Sequence, residues 1–108
     1  MSDYHTQGPW AASGADMFGD HNITPTHETA AVAAVVSNLR SPLEVAANAL
    51  LVASAPTMLK ALQILQERYE SDAWITDQEE MARVVRGTIA AATFSPEQIA
   101  NLAIETMQ

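Results

Sequence analysis

The chain has 108 residues, of which thirteen are acidic and five basic, so its formal net charge is −8 at pH 7. A chain of this length forms one domain, residues 1–108, and buries only about two-thirds of the surface that its unfolded form exposes. The acidic field repels phosphate backbones and disfavours direct nucleic-acid binding. The absence of cysteine excludes disulfides, thiolate nucleophiles and cysteine-ligated zinc, and it fits a reducing compartment.

The sequence has no pattern typical of targeting or membrane insertion. Residues 1–10 are polar and lack the charged and then apolar order of a signal peptide. No apolar run approaches the roughly 20 residues that a transmembrane helix needs. We therefore expect a cytoplasmic protein that does not bind membranes.

The first part of the chain, residues 1–39, is predicted to be rich in strands and loops because glycine and proline interrupt it repeatedly. The short runs Trp10–Ala12, Met17–Phe18 and His21–Thr24 are predicted to be strands or loops. Ala30–Val36 is the best strand candidate because valines favour a pleated surface, although its alanines also suit a helix. Trp10 is expected to anchor a strand onto the helices.

The second part, residues 41–108, carries helix start signals. Ser41-Pro42-Leu43-Glu44 forms a capping box, because serine can cap the helix and glutamate can bond back to it three residues later. This helix should run to about Ser54. One face of it is predicted to consist of five apolar residues, Leu43, Ala46, Ala47, Leu50 and Leu51.

Pro56 interrupts what would otherwise be one long helix, so we expect a kink or tight turn there. The next helix, from Pro56 to Glu70, has apolar residues at three- and four-residue spacing. They are Met58, Leu59, Leu62, Leu65 and Tyr69.

Two further helices are predicted after a connector, from Thr76 to Ala92 and from Ser95 to the end of the chain. Each begins with a capping box. In the first of them, four residues are predicted to point inward: Met81, Val84, Val85 and Ile89. Gly87 within it indicates either a close contact between helices, which we favour, or a position that tolerates glycine. The whole pattern predicts an α+β fold, with a short N-terminal antiparallel β-meander packed on three to four α-helices.

The sequence contains no recognisable catalytic constellation, cofactor motif or metal site. His5, His21 and His27 lack the fixed spacing of metal ligands and are interpreted as solvated loop residues. No nucleophile elbow or phosphate-binding loop is present. We therefore expect a protein without enzymatic activity that works by binding.

Two binding hypotheses follow from the charged and aromatic residues. The first is a surface that binds a partner protein with a basic surface, because acidic residues near the junction of two helices combine their fields. Its residues are Glu67, Glu70, Asp72, Trp74, Asp77, Glu79 and Glu80. The alternative is a sponge that sequesters a nucleotide-like molecule at an oligomer interface, with arginines for phosphate and aromatic rings for the base. Its residues are Tyr69, Trp74, Arg83 and Arg86.

The core available to this chain is small and rich in alanine. Of the hydrophobic residues, which make up 48% of the chain, few are aromatic. A core of this kind favours burial of further surface in an oligomer. We expect a homodimer or higher oligomer that uses an apolar helix face.

Two separated segments resemble a known family. The first is His5-Thr6-Gln7-Gly8-Pro9-Trp10, and the second is Ala46-Ala47-Asn48-Ala49-Leu50-Leu51-Val52-Ala53-Ser54-Ala55-Pro56 followed by Met58-Leu59-Lys60-Ala61-Leu62. Together they resemble a small bacteriophage and prophage protein family whose members open with His-Thr-Pro-Gly-Pro-Trp. Gln7 replaces the proline of that opening, and residues after Phe94 resemble an extension. The resemblance implies an accessory phage protein in the host bacterial cytoplasm, and by analogy an inhibitor of host defence.

Overall fold

The computed structural model describes residues 4–71 and 78–106, with side chains as far as residue 102. It confirms the α+β fold, since three strands precede four helices. The strands are β1 (Trp10–Ala15), β2 (His21–Pro25) and β3 (Ala33–Val35), and the helices are α1 (Pro42–Ala53), α2 (Ala55–Glu70), α3 (Gln78–Ala92) and α4 (Pro96–Thr106).

The strands form an antiparallel meander in the order β1-β2-β3. The register between β1 and β2 shifts between Ala12 and Ala15, where Gly14 has a positive φ of 85°. Asp16 closes the turn that follows, because its Oδ1 accepts hydrogen bonds from the backbone N–H groups of Phe18 at 2.8 Å and Asp20 at 3.0 Å. Met17–Phe18, predicted as a strand or a loop, therefore lies in this turn.

The third strand is shorter than the predicted segment Ala30–Val36. It spans Ala33–Val35 and pairs only with residues 21–23 of β2. The backbone N–H of Val32 adds one more bond, to the Ile23 carbonyl at 2.8 Å. Pairing cannot extend far beyond this, because β2 ends at Pro25, which has no N–H to donate.

Helix α1 lies on the sheet and builds the core with it. Ile23 and Ala49 are fully buried, Ala53 is 7% exposed, and Trp10 packs against this cluster as expected. The buried face is Val45, Ala49 and Ala53, at four-residue spacing. The predicted face is therefore wrong in part, since Ala47 and Leu51 are exposed. Alanines allow the closest approach to the sheet, so the large leucines lie to the side.

A sharp corner joins α1 to α2, as Pro56 predicts. The two helices bend by 44° around Ser54, whose hydroxyl donates to the Leu50 carbonyl at 2.8 Å. Pro56 stands within the first two positions of α2, where a missing N–H leaves no helical bond unmade. The corner is thus formed without a disrupted helix.

The capping box at Ser95 is confirmed, but at Ser41 only the serine cap forms, because the Glu44 carboxylate accepts a hydrogen bond from Arg40 Nη1 at 2.9 Å instead. Ser41 Oγ accepts from the Glu44 N–H at 3.2 Å. Ser95 Oγ accepts from the Gln98 N–H at 3.1 Å, and Gln98 Oε1 accepts from the Ser95 N–H at 2.7 Å. The third box begins at Thr76 and Asp77, which lie outside the described residues.

Helices α2 and α3 form an antiparallel hairpin. Arg68 and Glu80 meet at one end with an N–O distance of 3.6 Å, and Ser54 Oγ donates to the Ala91 carbonyl at 3.4 Å at the other. Ala61 and Met81 are buried, but Val85 and Ile89, predicted to point inward, are 40% and 58% exposed. The prediction of a close contact at Gly87 is also wrong, since a Cβ there would meet nothing within 4 Å.

Among the described residues, no helix is by itself long and apolar enough to cross a membrane, although α1 and α2 together pass that test by length and composition.

Candidate functional site

Exposed carboxylates cluster at one end of the α2–α3 hairpin. The Arg68–Glu80 ion pair holds the last turn of α2 beside the first turn of α3. This places four exposed glutamates at the same end, which we call the acidic end: Glu67, Glu70, Glu79 and Glu80. Gln66 donates to Glu70 Oε1 at 3.2 Å, and this i,i+4 bond holds the Glu70 side chain along α2.

The structure thus brings together four of the seven residues predicted to bind a partner. The other three, Asp72, Trp74 and Asp77, lie outside the described residues. Of the four residues that are described, Glu70 is the last residue of α2 and Glu79 lies in the first turn of α3. The sequence could indicate that these four residues lie close together because both helix boundaries were marked by polar residues and caps.

An apolar stripe runs along one side of the same hairpin, and sequence analysis did not predict that it would be exposed. Leu59 and Leu62 on α2 are 38% and 63% exposed, and Val85 and Ile89 on α3 are 40% and 58% exposed. Because α2 and α3 are antiparallel, Leu59 lies at the level of Ile89 and Leu62 near the level of Val85. We call these four residues the hairpin stripe.

Two members of the acidic end, Glu67 and Glu80, lie on a different side of the hairpin from the stripe. Glu67 follows Leu62 by five residues, and Val85 follows Glu80 by five, so each pair is separated by about 140° around its helix. A partner bound to Glu67 and Glu80 would therefore leave the stripe uncovered.

The residues of the sponge hypothesis do not form a pocket in the described part of the chain. Arg83 and Arg86 are exposed on α3, and Tyr69 is 67% exposed near the end of α2. Neither of the two clefts described below is lined by any of them. Trp74 lies outside the described residues.

The first cleft lies where the N-terminal segment crosses the start of α2. It has a volume of about 430 Å³, and its polar lining includes His5, Lys60 and Gln63. Its floor is a close contact, since a Cβ on Gly8 would lie 2.6 Å from Pro56 Cβ. The first segment of the resemblance therefore meets the second at this contact.

The second cleft is an apolar groove of about 490 Å³ between α1 and the α3–α4 junction. The side of α1 that does not face the sheet lines it with Leu43, Ala47 and Leu51, and Phe94 and Ile99 line the opposite wall. Leu43, Ala47 and Leu51, which were predicted to share one face of α1, therefore do share a face, but this face lines the groove and not the core.

The three histidines are not brought together. His5 and His27 are exposed, and His27 Nε2 lies 3.7 Å from Glu28 Oε1. The interpretation of His21 as a solvated loop residue is wrong. His21 belongs to β2 and is only 8% exposed. Its buried Nδ1 has no hydrogen-bond partner among the described residues. Within residues 4–71 and 78–106, no group of three or more metal-ligating side chains is positioned to hold a metal ion.

Comparison with known proteins places the chain in a family. No curated protein matches it. No solved structure matches it either. A family model described as Salmonella phage P22 protein Y8K6 matches residues 1–95, so α4 lies beyond the match. The chain therefore belongs to the Salmonella phage P22 protein Y8K6 family, a family of phage proteins.

Proposed function

We propose that this protein is a phage accessory protein that binds and blocks a host protein in the bacterial cytoplasm, with a protein of anti-phage defence as the leading target class. The contact is the acidic end of the α2–α3 hairpin, and its partner presents a basic surface. The observation that carries this proposal is the cluster of four exposed glutamates that the Arg68–Glu80 pair gathers at one end of the molecule.

Electrostatics supports this choice of partner. Charges of one sign that are close together add their fields, and such a field increases the rate at which an oppositely charged protein associates. The net charge of −8 strengthens the attraction at longer range. Glu79 and Glu80 also lie in the first turn of a helix, where negative charge is favourable.

The proposal includes no turnover chemistry. The chain has no cysteine, and the described histidines are spread over a loop, a strand and a turn instead of one site. A general base needs a second group to orient it and a donor for the developing charge, and these residues are too scattered to supply both.

A capture experiment with matched charge variants tests the proposed contact. The tagged chain is incubated with bacterial lysate, and bound proteins are identified by mass spectrometry. One variant changes Glu67, Glu70 and Glu79 to glutamine, and Glu80 is retained because it pairs with Arg68. The control changes three exposed glutamates away from the hairpin to glutamine, so both variants lose the same charge. These are Glu28, Glu44 and Glu97.

We expect the hairpin variant to lose the partner and the control to keep it. Binding by the unmodified chain should also weaken steeply as salt rises from about 0.05 to about 0.5 M, because salt screens exposed charges. Equal capture by the two variants would refute the acidic end as the contact, whatever the identity of the bound protein.

The sponge hypothesis stays a prediction with a simple test of its own. A nucleotide that bound the folded chain would raise its melting temperature with increasing ligand concentration. Because we propose the acidic end as the functional contact, we expect no shift. A concentration-dependent shift that Arg83→Ala and Arg86→Ala abolish would instead favour the sponge.

A further inference from the structure

The cleft between the N-terminal segment and the start of α2 gathers polar side chains that have no partner within the protein. Its polar lining consists of five side chains: His5, Gln7, Thr57, Lys60 and Gln63. Within residues 4–71 and 78–106, none of the five forms a hydrogen bond or an ion pair. The cleft volume of about 430 Å³ lies in the range of small-molecule sites, which place a few polar groups around a concave space.

Both walls of this cleft lack the carboxylates that are common elsewhere in the chain. No aspartate or glutamate occurs in residues 4–15 or 55–66. The first carboxylate along α2 is that of Glu67, about 10 Å beyond Lys60 along the helix axis, a distance over which salt at about 0.1 M screens charge. Arg40 and Arg68 pair with glutamates, but Lys60 has no such partner in the described part of the chain.

The start of α2 adds to the positive potential of the cleft. The first turn of α2 contains no acidic residue, and no side chain caps its N–H groups. The positive end of the helix dipole therefore favours an anion near Thr57. A helix start alone is not a binding site, but this one lies one turn from an unpaired lysine and lines the same cleft.

We propose that this cleft binds a small carboxylic acid as its anion, with Lys60 Nζ as the cation that meets the carboxylate. One fixed positive charge matches one carboxylate. A phosphate dianion or a nucleotide brings two or more negative charges, which Lys60 cannot neutralise and which the net charge of −8 repels. An amino acid is also disfavoured, because the lining has no carboxylate for its ammonium group.

The rest of the lining indicates what the body of the acid carries. The amides of Gln7 and Gln63 can both donate and accept hydrogen bonds, so they suit hydroxyl or carbonyl groups. Pro9 and Leu59 provide apolar surface. The cleft lies at the opposite end of α2 from the acidic end, so a bound acid leaves the contact with a host protein open. This inference goes beyond the proposed function and does not depend on it.

An NMR titration of the full chain with probes of matched shape tests the proposal. Benzoate and lactate are the carboxylate probes, benzamide is the uncharged match of benzoate, and phenyl phosphate is the dianion. At low ionic strength, benzoate or lactate should shift the backbone amide signals of Gly8, Thr57 and Lys60 and reach saturation, with a dissociation constant of about 1 mM. Benzamide should bind at least about 10-fold more weakly, because it cannot form the charge-assisted hydrogen bond.

Substitutions of Lys60 then assign the charge. Lys60→Gln should weaken benzoate binding at least about 10-fold, and Lys60→Arg, which keeps the charge, should retain most of it. The matched control Arg83→Gln removes the same charge from an exposed position on α3 and should leave binding unchanged. Because glutamine is a good helix former and both positions are exposed, both glutamine variants should keep the melting temperature of the unmodified chain.

Four results would overturn the proposal. The first is the absence of saturable shifts with both acids up to about 50 mM, well above the expected dissociation constant. The second is equal binding of benzoate and benzamide, and the third is equal binding by Lys60→Gln and the unmodified chain. Tighter binding of phenyl phosphate than of benzoate is the fourth, because the cleft would then select phosphate and not carboxylate.

Discussion

The two halves of this molecule differ in how completely they bury their apolar residues. In the sheet and α1, Ile23, Val45 and Ala49 are fully buried. In the α2–α3 hairpin, the buried residues are Ala61, Met81 and Ala92, while larger residues such as Leu62 and Ile89 stay exposed. The first half forms its own core. The second half leaves more of its large apolar side chains exposed, and the proposed contact with a host protein lies on it.

The largest expected effect lies in the first half. Ile23→Ala should lower the free energy of unfolding by about 2 to 4 kcal/mol, because it leaves a cavity among Trp10, Ala49 and Ala53. Urea denaturation followed by circular dichroism measures this value. The control Val36→Ala, at a 60% exposed site next to the same sheet, should change it by less than about 0.5 kcal/mol. Similar losses for the two variants would contradict a core centred on Ile23.

The contact between the halves should be the next most sensitive site. A Cβ at position 8 would lie 2.6 Å from Pro56 Cβ, so Gly8→Ala forces the N-terminal segment away from the corner between α1 and α2. We expect a loss of about 1 to 3 kcal/mol, the usual range for overpacking. Chemical denaturation of Gly8→Ala in the unmodified chain and in a Pro56→Gly background distinguishes the cause, because glycine has no Cβ at position 56. If Gly8→Ala costs the same stability in both backgrounds, the contact is not the reason.

A smaller loss is expected from the cap of α1. Ser41→Ala removes the acceptor for the Glu44 N–H and should cost about 1 kcal/mol. Ser41→Asp keeps an acceptor at the cap and should retain most of the stability. Thermal unfolding at equal protein concentration compares the two variants, and equal melting temperatures for them would exclude a capping role.

In the hairpin, the smallest predicted change has the opposite sign. Gly87 is exposed inside α3 with open space around it, so Gly87→Ala should raise stability by about 0.5 to 1 kcal/mol through helix propensity. Urea denaturation provides the measurement. A loss of stability would mean that a neighbouring molecule approaches the backbone at this position.

Sequence analysis was most successful where a residue has one strong local preference. Proline and serine marked the starts of α1 and α4, and the Gly/Pro-broken segment predicted the meander. Burial could not be predicted in the same way. Alanine fits either side of a helix, so the pattern of α1 favoured its leucines, although close packing on the sheet selects Val45, Ala49 and Ala53.

The candidate site was predicted in part for the same reason. Glutamates next to a helix boundary are visible in the sequence, and the antiparallel hairpin gathers them. The exposure of Leu62 and Ile89 was not predictable, because an amphipathic pattern shows that a face is apolar and not which molecule covers it. His21 was misjudged because nothing in its local sequence distinguishes a buried strand from a loop.

The contact between Gly8 and Pro56 also bears on the order of folding events. It joins positions about fifty residues apart, and closing a flexible loop of that length costs about 3.5 kcal/mol of chain entropy beyond a constant term. That cost falls once β1 has docked on α1, so we expect the contact to form after the sheet has packed on that helix. An alanine at position 8 should then leave the folding rate almost unchanged and accelerate unfolding, the kinetic signature of an interaction absent from the transition state.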